Sequence, residues 1–148
     1  MASKKYHIVF VEITITWRVC CKGKIATMKK TKVLCYGVNK MPDGNNLIPG
    51  IHAEHDALLK LPPLKHKKKL QSINLLVIRV SVKNKLQCSK PCNNCIQNMQ
   101  TIPQSKGYKI KHIYYSDSHG DIVETNLSQL EADEPYFTKY YKNIRKQK

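Results

Sequence analysis

One run of residues, Ile73 to Val82 (INLLVIRVSV), constrains the fold of this 148-residue chain more than any other. It is strongly apolar, rich in β-branched residues and far shorter than a membrane span, so it reads as a strand buried on both faces. The segments around it supply helices. One begins near His52 and stops by Leu61, because Pro62-Pro63 cannot continue it, and Ala57, Leu58 and Leu61 form its inward stripe. A second opens at Pro91, a residue suited to the first helical position, and ends by Ile102-Pro103.

The rest of the chain completes an α/β pattern. Tyr6 to Trp17 (YHIVFVEITITW) reads as a strand, the Cys21–Lys24 region as its turn, and Lys32 to Val38 as a second strand. Asn39 to Gly50 is a loop by composition, and so is Lys83 to Lys90. Lys65 to Lys69 is a basic connector or the polar end of a helix, read as a solvated run in preference to a phosphate clamp. Lys109 to Tyr115 is a further strand, and Ile122 to Thr125 another. Between them lie about five turn-forming residues, enough to join antiparallel neighbours but not for a parallel crossover. A terminal hairpin is therefore predicted. Asp117 and Asp121 are its turn residues. Helical turns are expected around Leu127–Leu130 and Tyr136–Ile144. The expectation is one domain over 1–148, with a core at 5–125 and a basic helical tail at 126–148. Its fold class is α/β, with two or three layers and a mixed five-stranded sheet.

Composition narrows the partners. The formal charge of +16, from 26 Lys and Arg against ten Asp and Glu, predicts attraction to polyanions, and nucleic acid or nucleotides are the natural class. Lysine outnumbers arginine 23 to 3, which argues against sequence-specific recognition. No run of about 18 apolar residues is present and the N-terminus lacks a signal-peptide core, so no membrane association is expected. A cytoplasmic, nuclear-accessible and non-secreted protein follows, with its six cysteines reduced. Cys20, Cys21 and Cys35 then read as small buried hydrophobes.

Two short segments carry the chemistry: His52-Ala53-Glu54 and, after 36 intervening residues, Pro91-Cys92-Asn93-Asn94-Cys95. Cys92 and Cys95 are three apart on one helical face, and a helix N-terminus favours their thiolates. With His52 they offer two sulfurs and one imidazole to Zn2+, leaving the fourth tetrahedral position to water. Zinc lowers the pKa of that water, and Glu54 can carry its proton. Residues two apart in a regular helix diverge by about 200°, so His52 and Glu54 cooperate only if His52 sits at the non-helical edge of the helix start.

His-Ala-Glu at one helix and Pro-Cys-x-x-Cys at the next resemble the cytidine and deoxycytidylate deaminase superfamily, over about 90 residues from Gly37-Val38-Asn39 to the hairpin after Tyr115. The resemblance implies a cytidine deaminase-like layered fold, with the zinc-site helices packed on the sheet. It implies that His52, Cys92 and Cys95 hold zinc, that Glu54 is catalytic, and that Asn39 meets the sugar while the Ala53 backbone meets the base. It also implies hydrolysis of a cytosine-type base to uracil with release of ammonia, and self-association into a homo-oligomer. The hairpin matches the cytidine-deaminase branch, whose members include both free-nucleoside and polynucleotide enzymes. The chain departs from the family in starting almost directly with a strand, without the usual preceding helix, and in its Lys65–Lys69 run.

Alternatives stay open on sequence alone. Cys88 could join His52, Cys92 and Cys95 in a closed structural zinc site, although Glu54 would then have no role. His55 reads as a polar helix-surface residue. Trp17, Arg18, Tyr114, Tyr115 and His119 are candidates for stacking surfaces, against readings as core or rim, with the two tyrosines on opposite faces of a strand. A catalytically silent protein that binds RNA or DNA through its basic surface competes with the enzyme.

Overall fold

The computed structural model describes residues 6–21, 24–40, 50–65, 68–135 and 137; for 6–7, 14–21 and 24–29 only the backbone is described. The elements are β1 (Tyr6–Cys21), β2 (Lys24–Val38), α1 (Ala53–Lys60), β3 (Gln71–Val80), β4 (Leu86–Gln87), α2 (Asn93–Ser105), β5 (Tyr108–Ser116), β6 (Ile122–Thr125) and α3 (Leu127–Ala132). The fold is α/β, with a mixed six-stranded sheet in the order β2-β1-β3-β5-β6 and β4 paired to β3. This is consistent with a deaminase-like layered fold. No helix among the described residues is long and apolar enough to cross a membrane.

The sixth strand corrects the expected five. The backbone turns at Ser81–Lys85, with Asn84 in the left-handed region at φ 55° and Ser81 accepting from the Asn84 N–H. That turn sends Leu86 and Gln87 back along β3 in a segment whose polar composition reads as loop. The second strand also starts at Lys24 rather than Lys32. Its Lys- and Thr-rich first half looks unlike a strand, yet it pairs with β1 in unbroken register from Cys21–Lys24 to Glu12–Val33. The α2 helix runs two residues beyond Pro103, which is itself buried in the core-facing side of the last turn. Of the helix expected at Tyr136–Ile144 only residue 137 is described, and it is not helical; the rest of it and the connector residues 66 and 67 lie outside the described residues.

Burial of β3 alternates. Ile73, Leu75 and Val77 are fully covered, whereas the intervening residues are half-buried. The expectation of two buried faces is thus corrected to one. Residues of α1, α2 and α3 join Val9, Val11 and Ile113 in a single core cluster on that face, giving a helical layer on one side of the sheet. The strands β3 and β5 run parallel, while β5 and β6 form the antiparallel hairpin that the short link requires. Asp117 Oδ1 accepts from the N–H groups of His119 and Asp121, which closes that turn.

Two contacts fix α1 against β2. A Cβ at Gly37 would lie 2.2 Å from the Ala53 carbonyl oxygen and 2.3 Å from the Ala57 nitrogen, so only glycine lets strand and helix come this close. Beside it, the buried Asp56 carboxylate accepts from the Val38 N–H at 3.1 Å and pairs with Lys40 and Lys60 at 2.6 and 2.7 Å. Burial raises the Asp56 carboxyl, but the two lysines and the Val38 N–H outweigh it and hold the group near about 2.

Gly37→Ala should lower the urea-unfolding free energy by about 2–3 kcal/mol, since the methyl meets backbone that cannot move aside. Asp56 has a depressed folded pKa, so its stabilisation is complete above its unfolded value and fades as pH falls through about 2. The stability gap between wild type and Asp56→Asn, about 1–2 kcal/mol after allowance for the exposed lysines, should therefore close between about pH 4 and pH 2.

Candidate metal centre

The helices α1 and α2 present their N-termini to one another, and each begins on a candidate ligand. His52 is the N-cap of α1, with φ −70° and ψ 152°, and Cys92 is the N-cap of α2, with φ −78° and ψ 166°. The extended backbone at His52 removes the helical divergence between His52 and Glu54, because only Glu54 lies inside the helix. Pro91 accordingly falls before the cap rather than at the first helical position. The first intrahelical bonds run from Asp56 N–H to the His52 carbonyl and from Ile96 N–H to the Cys92 carbonyl, at 2.9 and 3.0 Å.

What delivers Cys92 to this place is a clamp between the ends of the two parallel strands. The Ser89 hydroxyl donates to the Val77 carbonyl at 2.7 Å and accepts from the Ser116 N–H at 2.8 Å, while the Ser89 N–H donates to the Ser116 carbonyl. This ties the chain just ahead of Pro91 to both β3 and β5, at the carboxyl ends where open α/β sheets form their crevices.

Within the centre, His52 Nδ1 is 3.2 Å from Cys95 Sγ and 3.5 Å from Cys92 Sγ. The three ligand atoms lie within 4.8 Å of one another, close enough to bind one metal ion. Tetrahedral zinc with bonds of about 2.0–2.3 Å needs donor separations of roughly 3.5–3.8 Å, which small side-chain adjustments provide. Cys92 and Cys95 are buried and His52 is half-buried. A hydrogen bond from Cys95 lowers the Cys92 thiol to about 4, against burial, while the Cys95 thiol is driven up because it keeps the shared proton. The hydrogen bond to Cys92 raises His52. A divalent cation replaces that proton naturally, since it satisfies both sulfurs and the ring nitrogen together.

Glu54 supplies an independent test of the fit. It is 1% exposed, and its Oε2 has no hydrogen-bond partner. Burial pushes its carboxyl up to about 7, against the pull of its own N–H and of His52. Such an orphaned oxygen beside three of the four ligands zinc requires is what a metal-bound water would partner.

The other sequence candidates separate. Asn39 accepts from the Ala53 N–H through Oδ1 at 2.7 Å, so these two residues meet at the start of α1, and the Asn39 side chain satisfies one unpaired helix donor. Cys88 is exposed and does not join the cluster. Tyr115 packs against the core, while Tyr114 tilts against His112 with ring centroids 6.3 Å apart. The side chains of Trp17 and Arg18 are not described, and residues 41–49 of the expected loop lie outside the described residues. A cavity of about 50 Å³ adjoins the ligands, lined by Gly50, His52, His55, Asn94, Cys95 and Asn98. It holds a water-sized group rather than a whole ligand. Sequence reasoning did not single out Asn94 and Asn98; their four-residue spacing around Cys95 is the signal that places them together.

Neither a known protein family, nor a curated protein, nor a solved structure matches this chain significantly. The centre therefore rests on its own geometry. Protein purified with zinc should carry one equivalent per chain by elemental analysis, and Cys92→Ser or Cys95→Ser should lose it. Cys88→Ser should retain it; loss of zinc there would restore the closed four-ligand reading.

Proposed function

We propose that this protein is a zinc-dependent hydrolytic deaminase that converts a cytosine-type base to uracil and releases ammonia. The observation that carries the reading is the buried, unpartnered Glu54 Oε2 beside the His52, Cys92 and Cys95 cluster. A structural zinc site has no need of such a carboxylate, whereas base hydrolysis needs a proton carrier there. Zinc held by the three ligands supplies an acidified water at its remaining position.

The chain's own residues do the rest. A Glu54 carboxyl raised to about 7 can both accept and return a proton near neutral pH, first from water and then to the ring nitrogen and the departing amine. Asn39 uses its carbonyl oxygen to hold the start of α1, which leaves its amide nitrogen as the group to meet a sugar hydroxyl. In this reading the Ala53 backbone borders the base. The +16 charge favours a nucleotide or nucleic acid over an uncharged nucleoside. The same charge supports the competing reading, a silent deaminase-fold protein that binds RNA or DNA without turnover.

A panel of cytosine and adenine substrates, free and polymeric, assayed for ammonia separates these readings. Wild type should deaminate a cytosine substrate, and Glu54→Gln should retain zinc while its rate falls at least 10²-fold. Full activity in zinc-loaded Glu54→Gln would sink the mechanism. Absence of turnover across the panel would favour the binding protein.

A further inference from the structure

The positive charge of this protein is not spread over it. Three segments, 13–32, 57–72 and 101–111, hold fourteen of the 26 Lys and Arg and none of the ten Asp and Glu, so they carry +14 of the net +16. The fold brings the described parts of all three toward one end. Residues 57–72 run from the second half of α1 into the first residues of β3, and 101–111 run from the end of α2 into the start of β5. The two connectors are tied by Leu64 N–H to the Lys106 carbonyl and Gln71 N–H to the Gly107 carbonyl, at 3.0 and 2.9 Å. On the other side of the sheet, Glu12 is level with Asn74, and Ile13 and Ile15 pair with Lys32 and Lys30. By that register Lys30 and Lys32 stand level with the first residues of β3 and β5. Beyond them the β1–β2 ribbon continues, from Trp17–Met28 to Cys21–Lys24, past the first residue of β3.

The candidate metal centre lies at the opposite end. Its ligands follow Val38 and Val80, at the carboxyl ends of β2 and β3. Lysines near that end are partly neutralised: Lys40 and Lys60, the latter from the start of the 57–72 segment, pair with Asp56 at 2.6 and 2.7 Å, and Lys90 pairs with Asp133 at 2.7 Å. From Lys30 to Val38 is about 26 Å along the strand, some three Debye lengths at physiological salt. At that separation the field of Lys30 is largely screened from the metal centre, so charges at this end favour a long polyanion over a small anionic substrate.

We infer that this end, built from the β1–β2 ribbon around Lys30 and Lys32, Lys68 and Lys69 before β3, and the start of β5, is a polynucleotide-binding surface distinct from the metal centre. It binds the phosphate backbone without reading bases. The exposed Lys30, Lys32, Lys68, Lys69, Lys109 and Lys111 lie at the level of the sheet's end. Lys30 and Lys32, like Lys109 and Lys111, sit two apart on a strand, an extended row of compact charges on accessible edges. β2 is the outer strand of the sheet, and β6 pairs with β5 only from Ile113 onward. Nucleic acid is preferred as the polyanion because the metal centre is read as acting on nucleobases. The inference takes only this class of partner from the proposed function.

The test is fluorescence anisotropy with a labelled single-stranded 30-mer over a salt series, on zinc-loaded protein. Lys30→Gln/Lys32→Gln and Lys109→Gln/Lys111→Gln should each weaken binding roughly tenfold and lower the salt slope by about one. Lys83→Gln/Lys85→Gln, an equal charge loss near the metal end, should change affinity less than twofold. Unchanged zinc content and circular dichroism show that each variant is folded. Equal losses in all three pairs, or none in the first two, would overturn the inference. So would tighter binding of phosphatidylserine vesicles with the same lysine dependence, which assigns the end to a membrane. Anisotropy does not require turnover: a protein that binds as expected but deaminates nothing keeps this inference and loses the deaminase reading.

Discussion

The close approach of β2 and α1 at Gly37 is the contact on which the centre depends. With no side chain there, the helix settles against the strand until Ala53 and Ala57 backbone atoms occupy the space of a Cβ. Asp56 then locks the pair by accepting from Val38 while two lysines satisfy its remaining capacity. Three residues before Ala57 on the same short helix is Glu54, and one residue before the helix is His52. The depth at which α1 sits against β2 therefore sets where the imidazole and the carboxylate stand relative to the thiols of α2. Helix packing fixes that geometry together with the extended backbone at His52 and the Ser89 clamp ahead of α2.

Much of this could be read in the residues because punctuation and spacing are local properties. Pro62-Pro63 ended α1, and the short link after Tyr115 forced the hairpin. The two ligand segments each preceded a helix, as their composition required. What could not be read was set by tertiary context. Lys24 to Thr31 looks like loop because lysine is poor in strands, yet pairing with β1 imposes the extended backbone. The apolar run at β3 suggests two covered faces, but the three described helices gather on one, which depends on connections rather than on the strand itself. Asp56 is a plain acid in sequence, and only the fold reveals that it is buried and pinned by two lysines.

The charge distribution follows the same division. Net charge is a property of composition, and +16 correctly signals an unusual field. Its concentration at one end arises because two helix-to-strand connectors and a hairpin, remote in sequence, terminate together. The acids that balance the other end are used there in local structure, as Asp117 is in its turn and Asp133 in its pair with Lys90.

The β1–β2 ribbon has one more consequence. β2 extends over 15 residues at the margin of the sheet, with no strand on its outer side among the described residues. A long unpaired edge of this kind is a template on which other chains can add strands. The exposed Lys30 and Lys32 make such an addition a juxtaposition of like charges. Beyond any role in binding, they guard this margin of the fold against intermolecular sheet growth.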